Sequence, residues 1–329
     1  MIGVDRNPNA VGKFFVEVFY NVPDAYSQKY IDSLLDICLN ENVNVVLPQT
    51  TKEIEVLSKH LKMFKDKNIR IGVSPYKAIR VANNKALLLN MFKDLGLPCP
   101  KFRVVQSARE LVAIVEEFGY PENPVVVKPP LSNGMRGFRI LMEDYWDVRK
   151  FLEEKPDGVV ISLGDLRKIL EKGEVWPTLL VMEYLPGKEY TVDAFQGEKT
   201  FVAIPRVRQA IRSGISFAAV IEQREDLVYQ TRKASEALGL RFSFGFQYKE
   251  DAEGVPKVLE CNPRIQGTMV ASSLAGVNLI WFSVRELLGQ PVEPEYIASK
   301  LNALKGKRTA FYRYWGGVGV IDDMVTGII

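Results

Sequence analysis

FSFGFQYKEDAEGVPKVLECNPRIQG, residues 242–267, is the stretch on which the reading of this chain turns. Two strand-like runs, 242–248 and 255–261, flank an acidic turn that contains a glycine. A two-residue loop at Glu253-Gly254 would fold them into a hairpin. In that register Gln247 stands opposite Glu260. Glu260 and Asn262, two positions apart, share one face of an extended strand. Three oxygen-bearing side chains then converge, with Arg264 just beyond them. Oxygen ligands beside an arginine suit a divalent cation that carries phosphate. Taken alone, the stretch reads equally as a surface hairpin with its polar side chains in water.

Working outward, a second stretch faces the same way chemically. Residues 124–128 form a valine run ending in Lys128, followed by Pro129-Pro130-Leu131-Ser132-Asn133-Gly134-Met135-Arg136-Gly137, and the chain resumes as a strand over 138–142. A glycine-rich loop between two strands, with a lysine at its base, can fold over phosphates through backbone N–H groups and the ammonium charge. It is not a P-loop, because GxxxxGK[ST] is absent, and the strand after it excludes a dinucleotide fingerprint. A plain hairpin loop accounts for the same residues.

Bulk properties narrow the classes. The 329 residues leave room for roughly two or three packed units of about 100–200 residues each. Hydrophobic residues make up 47% and charged residues 25%, as in an ordinary globular protein. With 43 basic and 40 acidic residues, the net charge of +3 lacks the concentrated basic excess of a nucleic-acid binder. Cys38, Cys99 and Cys261 are far apart and odd in number, which suggests neither a disulfide framework nor a zinc knuckle. A reducing cytoplasm is the expected setting. No apolar run reaches the ~18 residues of a membrane helix, and Asp5 and Arg6 stand where a signal peptide needs its apolar core. His60 is the only histidine, so a histidine triad or a multi-histidine metal site is excluded.

The rest of the chain reads as follows. Strands are expected over 2–5, 14–20, 43–47 and 70–73, with helices over 30–39 and 53–65. This alternation points to a small parallel α/β unit. The glycine-rich first turn that opens a doubly wound unit is missing, which leaves an exposed sheet edge that invites pairing with a second subunit. A helix over 83–95 ends at Gly96 and carries Lys85 in its first turn. Further strands are expected over 102–105, 179–182, 189–195 and 200–206, and helices over 108–118, 144–152, 163–171 and 226–238. Two more helices, 269–273 and 279–288, would pack behind the hairpin, and 309–315 reads as a last strand. Arg206, Arg208 and Arg212 are read as lying on a loop, where they could grip a planar anion or stand as solvated charges. Gly316-Gly317-Val318-Gly319 reads as a turn.

In order and spacing these motifs resemble the ATP-grasp superfamily, nearest to single-module carbamoyl-phosphate-synthase-like members and PylC-type amino-acid ligases. The resemblance implies a mixed α/β and α+β fold. Residues 1–82 would be a truncated, Rossmann-like pre-ATP-grasp domain, and 83–315 an ATP-grasp module with lobes at about 101–185 and 186–315. Residues 316–329 would be a C-terminal tail. It also implies the roles. Lys85 and Lys128 would be the phosphate-side cations, and Ser132, Gly134, Met135 and Gly137 would belong to the mobile glycine loop. Glu183, Tyr184 and Leu185 would form the hinge that receives adenine, with Glu189 the ribose-binding acid. Gln247, Glu260 and Asn262 would be the magnesium ligands, with Mn²⁺ as a substitute, and Arg264 would sit at the transferred phosphate. ECNPRIQGT partly echoes biotin carboxylase, but the Val-Glu-His that should follow is missing.

The expected activity is ATP-dependent ligation: a small-molecule carboxylate becomes an acylphosphate, which an amine then attacks. Lys128 and Arg264 would stabilise the transferring phosphate, and Arg206, Arg208 and Arg212 would grip it or the carboxylate. The alternatives are a non-catalytic, regulatory ATP-binding module and carbamate or carboxylate phosphorylation of the carbamoyl-phosphate-synthase kind. The expected partners are small molecules and a second copy of the chain, with no nucleic acid and no membrane.

Overall fold

Residues 1–132, 134–155, 158–316, 318–321 and 324–328 are described by the computed structural model of the chain. Asn133 of the expected glycine loop and Gly317 of the expected turn lie outside them.

The N-terminal part is built of short parallel strands and helices. β1 (Ile2–Asp5) pairs in parallel with β2 (Val18–Asn21), and β3 (Val45–Val46) with β4 (Arg70–Ile71). Helices α1 (Tyr30–Asn40), α2 (Thr51–Lys59) and α3 (Leu61–Lys65) supply Tyr30, Leu34, Ile54, Leu57 and Phe64 to one core. The expected strand over 14–20 is replaced in its first half by a short 3-10 helix, Val11–Phe15. The expected single helix over 53–65 is broken at His60, which caps α2 and opens α3. Its Nδ1 lies 2.9 Å from the Val56 carbonyl oxygen, a local bond that competes with helix continuation.

Two further helices join this part to the rest. α4 (Tyr76–Asn83), which the sequence reading did not foresee, runs into α5 (Lys85–Asp94). The Asn84 side chain caps α5, accepting from the backbone N–H groups of Ala86 and Leu87 at 3.0 and 3.2 Å. Ala78 and Ala82 of α4 share a core with Leu88, Leu89 and Phe92 of α5. Leu89 thus faces inward, whereas Leu87 is exposed.

A five-stranded sheet follows, ordered β5-β9-β6-β7-β8. Its strands are β5 (Phe102–Val105), β6 (Val125–Lys128), β7 (Arg139–Leu141), β8 (Val160–Ile161) and β9 (Leu179–Glu183). α6 (Ala108–Glu117) and α8 (Leu163–Leu170) cover one face over Val105, Val125, Val127 and Val181. The short α7 (Val148–Glu153) lies between β7 and β8 in the chain. Val126, Leu180 and Met182 point the other way, into the core shared with α5. Lys128 follows Val126 by two residues and takes the same side.

The six-stranded sheet runs β14-β13-β10-β11-β12-β15. It comprises β10 (Glu189–Gln196), β11 (Phe201–Arg212), β12 (Ile215–Ile221), β13 (Phe242–Glu250), β14 (Pro256–Asn262) and β15 (Ala310–Tyr312). α9 (Glu225–Leu238) and α5 bury one face, with Tyr190, Val192, Phe244, Phe246 and Tyr248. The opposite face changes character along its length. At one end Phe195, Val202 and Ile204 pack in one core with residues of α11 (Leu279–Leu287) and α12 (Pro294–Leu304), beside the short α10 (Val270–Leu274). At the other end the same alternation brings up Glu189, Arg206, Arg208, Gln247, Glu260 and Asn262. Covering helices therefore stop where the strands become polar. The chain continues past the expected last strand into a small hairpin of β16 (Val318–Ile321) and β17 (Met324–Ile328).

Candidate functional site

The hairpin that opened the sequence reading forms, with Gln247 opposite Glu260 and Gly245 opposite Asn262. Its turn is longer than the expected pair Glu253-Gly254, because Glu250 pairs with Pro256. Asp251 organises the turn by accepting from the backbone N–H groups of Glu253 and Val255 at 3.1 and 2.8 Å. The register at the polar end is nevertheless the expected one, since a bulge leaves Leu259 unpaired and makes up the difference. The bulge also resets the side-chain alternation. Val258 and Cys261, three apart, both enter the core while Glu260 and Asn262 face the cleft.

The bulge serves the opposite sheet too. Lys128 reaches from the end of β6 to the Leu259 carbonyl oxygen, a long contact of 3.5 Å. Its side chain is buried, and burial, with Lys85 nearby, pushes the ammonium down from 10.5 to about 8. Lys85 stands 3.6 Å from Glu260 Oε2 and donates to the backbone oxygen and hydroxyl of Ser132 at 2.9 and 3.3 Å. Its backbone N–H donates to the Pro130 carbonyl at 3.0 Å. The first turn of α5 is thus tied to the base of the glycine loop. In that loop Gly134, Met135 and Gly137 have φ values of +61°, +61° and +74°. A Cβ on Gly137 would lie 2.6 Å from Pro129, so only glycine fits there.

The oxygens and cations interlock. Asn262 Nδ2 donates to Glu260 Oε1 at 3.1 Å, and Arg264 Nη2 to Asn262 Oδ1 at 3.5 Å. Arg264 Nη1 donates to the Ile265 carbonyl at 3.0 Å, while its Nε is buried without a partner among the described residues. Burial pushes its pKa below the ordinary value. A buried donor without a protein partner is a place where water or an anion can bind. Lys85, Ser132, Gly134, Glu260, Asn262 and Arg264 enclose a recess of about 40 Å³, room for a few waters. A roomier recess of about 480 Å³ beside Phe201, Arg232 and Ile297 contains none of these groups, so size does not mark the chemistry here.

The arginines divide in a way the sequence reading did not anticipate. Residues 206–212 lie on β11, not on a loop. Arg206 is fully buried and bound to Asp193, with Nε donating to Oδ2 at 2.9 Å and Nη2 to Oδ1 at 3.4 Å. Thr268 Oγ1 accepts a further bond from Nη2 at 2.5 Å. This corrects the expectation that Arg206 grips substrate, because its guanidinium is spent inside the fold. Arg212 is exposed near the β11–β12 turn and stacks on the Phe217 ring at 4.9 Å. Arg208 is the arginine that reaches the site. It forms a close ion pair with Glu189, donates to Gln247 Oε1 at 3.4 Å, and is held by Ser216 Oγ at 2.8 Å and the Gly214 carbonyl at 2.5 Å.

At the hinge, Glu183 ends β9 and accepts from Lys257 Nζ at 2.6 Å. Tyr184 is half-buried with Lys249 over its ring at 5.4 Å, and Leu185 is buried. Asp193, Ser216, Gln266 and Lys257 escaped the sequence reading. Strand parity would have found Asp193, which sits two and four residues from Thr191 and Glu189 on one face. Gln266 fills the space left by Gly245, where a Cβ would come within 1.4 Å of its Nε2, and no local sequence signal announces that contact.

Comparison with known proteins bears on the fold that carries these residues. Residues 175–307 match the family described as ATP-grasp in the biosynthetic pathway with Ter operon, and residues 1–72 match the PylC-like N-terminal domain. The carbamoyl phosphate synthase large chain of Clostridium acetobutylicum is 25% identical over 301 residues, covering 87% of this chain and 26% of that protein. Its counterpart from Thermus thermophilus is 28% identical over 268 residues, covering 74% and 24%. The chain thus spans about a quarter of the length of these curated relatives. Among solved structures, the biotin carboxylase domain of Hydrogenobacter thermophilus 2-oxoglutarate carboxylase, a dimer with MgADP, superposes with a TM-score of 0.68 at 16% identity, covering 89% of this chain and 65% of that one. N5-carboxyaminoimidazole synthetase from Staphylococcus aureus, complexed with ADP, gives 0.67 at 15% identity, covering 89% and 71%. At that identity the two structures speak for the fold. The chain thus carries a PylC-like N-terminal domain followed by an ATP-grasp domain.

Proposed function

We propose that this chain is an ATP-dependent ligase that activates a small-molecule carboxylate as an acylphosphate for attack by an amine. The observation that carries the reading is the convergence of Gln247, Glu260 and Asn262 on one sheet face, met by Lys85 and Arg264 and, across the cleft, by Lys128. A divalent cation fits this donor set when phosphate completes it. Among the described residues no cluster of three or more His, Cys, Asp or Glu is gathered, and Mg²⁺ characteristically combines one or two carboxylates with substrate phosphate and water. Glu260 would be the carboxylate, with Gln247 and Asn262 as amide oxygens, and Mn²⁺ could replace Mg²⁺. When bound, the metal supplies charge neutralisation at the phosphate oxygens.

The chain's own residues supply the rest. Lys85, Lys128 and Arg264 hold the phosphates and stabilise charge during transfer. Glu183, Tyr184 and Leu185 receive the base, and Glu189 the ribose. The glycine loop lines the recess beside Lys85, Glu260 and Arg264, and its closure over bound nucleotide keeps water from the acylphosphate. The division at residues 82 and 83 and the two lobes belong to the same reading, as do a cytoplasmic setting and a homodimer. Among the described residues no helix is long and apolar enough to cross a membrane.

The test is phosphate release from ATP across a panel of amino acids and short carboxylic acids, with and without Mg²⁺. One acid is expected to accelerate release in a Mg²⁺-dependent way. Tight Mg-ATP binding with no response to any acid would favour a non-catalytic nucleotide-binding module instead.

A further inference from the structure

Arg208 occupies a position that metal-ligand and phosphate-cation assignments leave unexplained. Its side chain is only 4% exposed, yet it lies at the cleft and touches groups of two kinds. One guanidinium nitrogen, Nη1, donates both to Glu189, the acid assigned to ribose, and to Gln247 Oε1, an oxygen assigned to metal. The rest of the guanidinium is fixed from behind. Ser216 Oγ accepts from Nε, and the Gly214 carbonyl accepts from Nη2. Ser216 also lies 3.5 Å from Nη1 of Arg206, whose charge Asp193 neutralises. Two arginines therefore stand side by side on β11, one satisfied inside the fold and one whose Nη1 is satisfied by groups of the site.

We propose that Arg208 couples metal binding to nucleotide binding. This rests on the reading of Gln247 as a metal ligand and Glu189 as the ribose acid. A divalent cation approaching Gln247 meets a fixed guanidinium already bonded to the same oxygen, so charge repulsion and the lost hydrogen bond oppose the metal alone. A nucleotide changes both terms. Its ribose engages Glu189, and its phosphates offer the guanidinium a new anionic partner. Arg208 then turns from competitor into phosphate contact and releases Gln247 Oε1. Metal and nucleotide bind with positive coupling, and the coupling is reciprocal.

The experiment measures Mn²⁺ binding to the full chain by electron paramagnetic resonance, with and without ADP, in wild type, Arg208→Gln, Arg208→Lys and Ser216→Ala. The expected result is that Arg208→Gln binds Mn²⁺ alone about tenfold more tightly than wild type, while the factor by which ADP tightens Mn²⁺ falls by a similar amount. Arg208→Lys keeps the charge and retains weak binding of Mn²⁺ alone. Ser216→Ala, which loosens the Arg208 guanidinium and leaves Arg206 its bonds to Asp193 and Thr268, falls between. A folded Arg208→Gln whose affinity for Mn²⁺ alone equals that of wild type overturns the proposal. If Arg208→Gln does not fold, unchanged coupling in Ser216→Ala overturns it. ADP failing to bind wild type would overturn the ATP reading instead, and the comparison with Mn²⁺ alone would still decide the role of Arg208.

Discussion

The two hairpins that flank β10 are built in opposite ways. β13–β14 has a longer turn, Asp251–Val255, and a bulge at Leu259, and it presents oxygens: Gln247, Glu260 and Asn262. β11–β12 closes tightly at Ser213-Gly214, with φ of +48° and +77°, and presents a cation, Arg208. The tight turn fits the right-handed twist of long strands. Both hairpins break regular pairing near the site, β11–β12 between Arg208 and Ile211 and β13–β14 at Leu259, whose backbone carbonyl meets Lys128. The contrast teaches how one sheet makes a charged cleft without burying unpaired charge. Oxygens and guanidinium come from different hairpins and meet across the central strand, where Arg208 reaches Glu189 of β10 and Gln247 of β13.

The largest expected effect comes from removing the oxygen side. Glu260→Ala should lower Mg²⁺-dependent phosphate release by about 10²–10³-fold, the range for losing a preorganised electrostatic partner. Because buried Lys85 loses its ion-pair partner and Asn262 an acceptor, the melting temperature should fall as well, so turnover is compared below the variant's own melting transition. Unchanged turnover in a folded variant would remove the hairpin from the chemistry.

Next comes the cation under the bulge. With its pKa held at about 8 against 10.5, charged Lys128 opposes folding by roughly 3 kcal/mol below pH 8. The penalty shrinks as pH rises from about 8 towards 10.5 and vanishes above, because the folded state loses its proton first. Lys128→Met should therefore be more stable than wild type at pH 7, with the gap closing in alkaline denaturant titrations, while nucleotide affinity drops sharply. In wild type itself, ADP affinity should weaken above about pH 8 as the ammonium is lost. A variant less stable than wild type at pH 7 would show that the lysine is held for packing.

Gly245→Ala probes the face beneath the oxygens. Its Cβ would fall 1.4 Å from Gln266 Nε2, and Gln266 is buried with a 3.4 Å bond to Asp193. A loss of about 1–3 kcal/mol in chemical denaturation is expected, as for other overpacked sites. The smallest effects compare the two turns. Gly254→Ala and Gly214→Ala both place a side chain at positive φ, +80° and +77°, for about 1 kcal/mol each. Gly214→Ala should cost more, since its Cβ would also press on Met135 at 3.0 Å. Equal losses would mean that the glycine loop yields freely at that contact.

These comparisons also show what the sequence could reveal. The oxygen hairpin was legible because acid, amide and arginine recur at period two after an apolar strand with a glycine turn. Even its register survived a misjudged loop, since the bulge at Leu259 absorbed the difference. The cation hairpin was not legible. Three arginines and a glutamine between 206 and 212 mimic a solvated loop, although Ser213-Gly214 is a usable turn signal and the alternation of Arg206 and Arg208 marks a strand. Which arginine faces the cleft depends on Asp193, thirteen residues away from Arg206 and on another strand. α4 and α12 were missed for a related reason. Short amphipathic helices with few strong signals acquire their stability from packing, here of Ala78, Ile79 and Ala82 and of Ile297 and Leu304.

The central claim, carboxylate activation through an acylphosphate, is tested most directly by oxygen transfer. An acid that accelerates phosphate release would be supplied with ¹⁸O in its carboxylate, together with Mg-ATP and an amine, and the inorganic phosphate analysed by mass spectrometry. The account predicts that one labelled oxygen passes from the acid to the phosphate released. Phosphate that carries no label, with its fourth oxygen drawn from water, would contradict it.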